Sequence, residues 1–234
     1  MRRQPHRRQA GAALLILLLI LILGSAGALV TRLDKSARAQ AQAPRDAALL
    51  GPVIEALLGY ALETGCLPCP ARSASDGRAR TSCTTPAQRV GFVPWASLGT
   101  GALDHWQHRL RYSVAPAFAG TACPGFTQST TGDIRVQTRN AAGALVDLDT
   151  GVPAAVVAHG RNGFGATLAD GNSRPNPPAA NVDERSNRFN ATRFVQRPIL
   201  DSAAVAGGPY DDLVAWLPLA TLVTTVDRVR GLPP

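Results

Sequence analysis

The chain has 234 residues, 45% of them hydrophobic, 17% charged and 5% aromatic, which excludes a wholly disordered protein and permits one cored domain, alone or with an appendage. The formal charge of +8 and the pI near 10.3 point first to nucleic acid. Four of the 24 basic residues, however, precede a membrane-length apolar run and the rest form no dense stripe, so a solvated surface is the better reading and no nucleic-acid partner is expected.

Residues 10–30 carry no charge and include ten consecutive leucines and isoleucines, Leu14 to Leu23. About 20 such residues cross the hydrocarbon core of a bilayer as a helix. Arg2, Arg3, Arg7 and Arg8 lie before the run, and Arg32, Lys35 and Arg38 follow it, partly offset by Asp34. The positive-inside bias therefore favours a single-pass anchor with a cytoplasmic N-terminus and everything after Thr31 on the far side of the membrane. Three fates of this segment are open. Ala26-Gly27-Ala28 offers a secretory cleavage site, although the apolar run exceeds the usual signal core. A short basic leader ending in glycine favours cleavage between Gly11 and Ala12, and the third fate is an uncleaved anchor.

The organisation expected is a leader over 1–11, a transmembrane helix over 12–31, its continuation over 32–65 and a β-rich domain over 66–234. In the continuation, Ala47, Leu50, Ile54, Leu57, Leu58 and Ala61 recur at helical spacing, interrupted only by Pro44, Gly51 and Pro52. Gly65 is the natural stop, with Pro68 and Pro70 beyond it. Three segments read as strands, 110–114, 133–137 and 154–158, and the turn signal at 139–143 predicts a hairpin to 144–148. Residues 161–190 lack periodicity and read as a long loop. The end of the chain holds a strand, 213–217, and then a short helix. The fold class expected is α+β, a long N-terminal helix packed on an antiparallel sheet that covers its apolar stripe.

Cys66, Cys69, Cys83 and Cys123 all follow the apolar run, and if that side is the periplasm, disulfides persist there. Three pairings are open. One joins Cys69 to Cys83 around Asp76-Gly77 and leaves Cys66 with Cys123, tying the helix end to the sheet. Closing a loop of this size stabilises by roughly 3 kcal/mol in the chain-entropy account. Cys66-Leu67-Pro68-Cys69 has redox spacing, but it follows a helix end rather than opening a helix, and no second Cys-x-x-Cys completes a zinc ribbon.

Catalytic signatures are weak. His105 and His108 would share a face if 102–109 were helical, with Asp104 adjacent, yet no third metal ligand stands at a recognisable spacing; surface histidines flanking a buried Trp106 are the plainer reading. The glycines after His159 fit the exit from a strand better than a phosphate cradle. Asp183-Glu184 and Asp211-Asp212 could bind calcium through their carboxylates, although surface acidic pairs are usually just solvated. No enzyme activity and no resident cofactor are expected, calcium being the one candidate.

These residues together carry a family likeness. The leader ending in Gly11, the apolar helix and the β-rich remainder resemble type IV pilin-like proteins, and among them the pseudopilins of type II secretion. Asp104-His105-Trp106-Gln107, ending at Tyr112, is similar to the Asp-x-Trp-Gly segment of the major pseudopilins. His159-Gly160-Arg161-Asn162-Gly163 resembles their Gly-x-Asp/Asn-Gly turn, and Asp211-Asp212-Leu213-Val214-Ala215-Trp216 their closing strand. Leu58-Gly59-Tyr60-Ala61, Leu67-Pro68-Cys69-Pro70 and Gly91-Phe92-Val93-Pro94-Trp95 resemble pilin-like proteins of Gram-negative bacteria. The resemblance implies cleavage after Gly11 by a prepilin peptidase, methylation, and assembly with other pilin-like subunits from the inner-membrane lipid. Two positions depart from it. Ile16 stands where the family usually has glutamate, as in minor pseudopilins, and Gln107 replaces the usual glycine. A calcium site like that of the major pseudopilin is not carried over, because its ligands do not align.

Overall fold

A computed structural model describes residues 48–120 and 125–234. The expectations for the leader, Gly11, Ala12, Ile16, the transmembrane helix, Ala28 and Cys123 lie outside the described residues. No helix among the described residues is long and apolar enough to cross a membrane.

The first helix, α1, covers described residues 48–64. Leu50, Val53, Leu57 and Ala61, spaced by three or four, are buried, while Ile54 and Leu58 are half-buried at the stripe's edge. Each leucine so buried contributes about 1.5–3 kcal/mol. The helix ends where Gly65 takes a left-handed φ of 81° and its amide donates to the Ala61 carbonyl at 2.8 Å. Two of the remaining carbonyls, those of Leu62 and Glu63, accept from Arg230 Nη1 at 3.1 and 2.8 Å.

Two sheets follow. The first has the order β1-β2-β5-β7 and is antiparallel throughout, built from β1 (Val90–Phe92), β2 (Arg111–Val114), β5 (Ala154–Ala158) and β7 (Leu213–Leu217). The second has the order β4-β3-β6, with β3 (Ile134–Arg139), β4 (Leu145–Val152) and β6 (Arg193–Val195). β3 and β4 form the hairpin predicted at 139–143, its turn closed by the Asn140 side chain and by Gly143 at φ 78°. β3 and β6 are parallel over three residues, so the sheet component is not uniformly antiparallel.

β5 explains the layering. Its five residues, Ala-Ala-Val-Val-Ala, are all buried, as a strand covered on both faces must be. Ala154, Val156 and Ala158 join α1 in one core; Ala155 and Val157 point the other way, into a second core with Ile134, Val136 and Phe194 of the second sheet. The architecture is therefore α+β in three layers, helix on sheet on sheet. Helix α4 (Leu219–Arg230) sends Leu222 and Val226 into the α1 core.

The other elements are short. Helix α2 is Trp95–Leu98. Helix α3, Val182–Phe189, lies inside the stretch expected to be loop, and corrects that expectation. Cys69 and Cys83 are bridged. Cys66 is also disulfide-bonded.

The bridged loop folds back over Trp95. Gly77 lies so close to the indole that a Cβ there would come within 2.2 Å of it, and the Ala96 amide donates to the Gly77 carbonyl. The Ala71 amide donates to Phe92 at 2.9 Å, and Tyr112 donates to the Pro68 carbonyl at 3.0 Å. The Leu-Pro-Cys-Pro and Gly-Phe-Val-Pro-Trp segments thus meet at one end of the first sheet.

Candidate functional site

Residues 102–109 are not helical: Leu103 and Arg109 form a bridge, and a tight turn joins them. Asp104 organises that turn. Its Oδ1 accepts from the amides of Trp106 and His108, both at 2.8 Å, and its Oδ2 lies 3.2 Å from His108 Nδ1. Gln107 takes φ 66°, the sole non-glycine with positive φ among the described residues, at the position where the family pattern has glycine. His108 is buried while His105 is exposed, so the two histidines share no face and form no metal pair. Trp106 is only half-buried, which corrects the expectation of a buried tryptophan between surface histidines.

The turn after β5 packs directly on this one. Gly163, at φ 61°, comes so near that a Cβ would lie 2.6 Å from the His108 ring. Gly160, at φ 56°, sits against Asp211, whose carbonyl and Oδ1 would be 2.3 and 2.7 Å from a Cβ. Glycine is required at both positions twice over, by conformation and by space. The three motifs around Asp104, Gly160–Gly163 and Asp211–Asp212 therefore meet in one place. Trp216, farther along β7, donates to Asp149 Oδ2 at 2.8 Å and packs against the second core.

At this junction three carboxylates are gathered. Glu184, Asp211 and Asp212 each offer an oxygen within 4.8 Å of the others, and all three are buried. Asp183 is buried too, clamped by Arg139 at 2.7–2.8 Å and by Arg197 at 2.7 Å. The expectation of solvated surface pairs is thus wrong for all four acids: α3 turns Asp183 and Glu184 inward, and Asp211 and Asp212 are buried in the lead into β7.

Hydrogen bonds hold the three carboxylates. Asn162 donates from its amide to Asp211 Oδ2 at 2.8 Å and from its side chain to Glu184 Oε1 at 2.7 Å. Asn181 donates to Glu184 Oε2 at 2.8 Å, and Asn187 to Asp212 Oδ2 at 2.9 Å. His159 Nδ1 lies 3.3 Å from Asp212 Oδ1. One oxygen is left over: Asp211 Oδ1 has no hydrogen-bond partner.

Burial dominates the electrostatics. It pushes the Asp211 carboxyl up to about 8, reinforced by Asp212 and Glu184 and opposed by the Asn162 amide. Asp212 rises to about 7 by burial, against the Asn187 donor and Arg111. Glu184 is raised by burial and by Asp212. His159 falls to about 3, first through burial and then through Arg111 and Arg188, so its ring is neutral at pH 7.

A group of hard oxygen donors like this suits a divalent cation of the calcium or magnesium type, and Asp211 Oδ1 is the oxygen that no protein donor occupies. Most of the other carboxylate oxygens already accept hydrogen bonds from the protein. The arrangement can therefore hold either a cation or protons. Sequence reasoning singled out Glu184, Asp211, Asp212, Gly160 and Gly163, and it missed Asn162, Asn181 and Asn187 as partners. The signal for α3 was present: Asn181-x-x-Glu184 has the spacing of a capping box, followed by an acidic first turn.

Compared with protein families, curated proteins and solved structures, the chain has no significant match in any of the three.

Proposed function

We propose that the protein is a membrane-anchored, pilin-like subunit of a type II secretion or type IV pilus-like assembly, acting by helix packing and without catalysis of its own. One observation carries the reading: a basic leader and an uncharged run of membrane length precede, in the sequence, a helix whose apolar stripe is covered by a sheet. The convergence of the Asp104, Gly160–Gly163 and Asp211–Asp212 stretches on one end of that sheet supports it, since these stretches carry the family likeness. In this reading a prepilin peptidase trims the chain after Gly11, and subunits associate through their apolar helices, with Gly24 and Gly27 permitting close approach. The lack of glutamate at position 16 suits a subunit with no neighbour to neutralise, because an unpaired carboxylate in lipid is costly.

Co-expression with a prepilin peptidase tests this. The parent chain should gain mobility on a gel and begin at Ala12 by mass spectrometry, while Gly11→Asp should stay full length. A mature chain beginning at Leu29, or no difference between parent and variant, would overturn the assembly reading.

A further inference from the structure

Beside the acidic cluster, on the other side of His159, lies a cavity of about 180 Å³ with the opposite character. Arg109, Arg111 and Arg188 line it together with His159, Thr167 and the backbone of β1, and none of its lining residues is acidic. Arginine is seldom fully buried without a carboxylate; of these three Arg111 is buried and Arg109 and Arg188 are half-buried, and none has an ion-pair partner among the described residues. Arg111 is only 7% exposed. Its Nη2 donates to the Asn190 carbonyl at 2.8 Å, and its Nη1 is buried with no acceptor. The Arg188 side chain makes no hydrogen bond among the described residues; its guanidinium lies 5.5 Å from the Phe189 ring centroid, and its Nε is a buried donor without a partner. Arg109 spends Nη2 on the Ala169 carbonyl and stacks 4.2 Å over Trp95, which leaves its Nε likewise buried and unmet.

Three guanidiniums gather round one cavity whose lining holds no acid, and a buried donor without an acceptor, as Arg111 Nη1 is, forfeits its hydration. Gly165 is part of the design: at φ 76° it lets the Arg188 side chain pass where a Cβ would lie 2.4 Å from its Cδ. We infer that this cavity binds a small oxyanion, a phosphate or carboxylate group, through Arg109, Arg111 and Arg188. Guanidinium presents parallel N–H donors that match both groups, and charge-assisted bonds of this kind are about twice as strong as neutral ones. The His159 ring lies between this cationic cavity and the carboxylates, lining the one and standing 3.3 Å from Asp212 Oδ1 of the other.

The test uses the full chain purified in a zwitterionic detergent without phosphate or sulfate. Calorimetric titrations with inorganic phosphate, sulfate and acetate are run at one ionic strength set by chloride. Saturable binding of at least one oxyanion is expected. Arg188→Gln and Arg109→Gln, both only half-buried in the parent, should each weaken it by about tenfold. Preference for phosphate and sulfate would assign a tetrahedral group, and preference for acetate a carboxylate; either supports the site. No binding of any of the three would overturn it. So would binding that is undiminished in both variants while their melting temperatures match the parent.

Discussion

Gln107 shows how much a single backbone angle can reveal. Its left-handed φ costs a non-glycine residue about 1–2 kcal/mol, and Asp104 supplies the compensation by accepting the amides of Trp106 and His108. Restoring glycine would relieve that strain but enlarge the freedom of the unfolded chain. The net expectation for Gln107→Gly is a gain of roughly 0.5–1 kcal/mol, read from denaturant unfolding by tryptophan fluorescence. A loss would mean that the side chain contributes more than its conformation costs.

The buried carboxyls set a second expectation at the same scale. Asp211 and Asp212 are raised to about 8 and about 7 in the fold, well above their ordinary 3.8. The folded state therefore holds protons that the unfolded chain has released, and stability falls as pH rises toward and through those values. His159, lowered from 6.5 to about 3, acts oppositely, but only below 6.5. Between 6.5 and 8 the carboxyls act alone, so with chelator present the melting temperature should drop across that window. Calcium should lessen the drop if the cluster holds a cation, because the metal binds the deprotonated form. Asp211→Asn should flatten the profile; an unchanged slope in that variant would remove Asp211 as its source.

Among the elements, α1, the hairpin and β5 were legible because apolar periodicity or a turn signal marked each one. Helix α3 was not. Its buried positions are Asp183, Glu184 and Asn187, while Val182 and Phe189 are more than half exposed. A search for an apolar stripe looks for the reverse of that distribution, so only the capping-box spacing at Asn181 could have revealed the helix. The turn at Asp104–His108 was missed for a related reason. Histidines three apart imply a helix face, whereas one aspartate accepting two amides makes a turn whatever the spacing. The disulfide loop was read as a staple, but its packing on Trp95 was not visible in sequence, since nothing at Gly77 announces an indole against it. Gly77→Ala should therefore cost about 1–3 kcal/mol by overpacking, with the Cys69–Cys83 bridge still formed. Unaltered melting of the oxidised variant would show that the loop can lift away from the ring.

Over the whole molecule, the candidate site depends on segments far apart in sequence. Asn162, Glu184 and Asp211 come from a turn, a helix and the lead into β7, and only the three-layer stacking makes them neighbours. The sequence marks each of these regions separately, and the tertiary fold supplies their adjacency and the helix that carries Glu184. Similar long-range closure governs the far end of α1, where Arg230 of α4 bonds to the Leu62 and Glu63 carbonyls and Leu222 and Val226 fill the same core.

That clasp between the first described helix and the last one has a temporal consequence. A chain synthesised from its N-terminus delivers the oily flank of α1 long before α4 emerges to shield it. Until α4 has been made, Leu50, Val53 and Leu57 lack their final cover, and native closure must wait for it. The order of synthesis thus postpones the completion of this core to one of its latest steps.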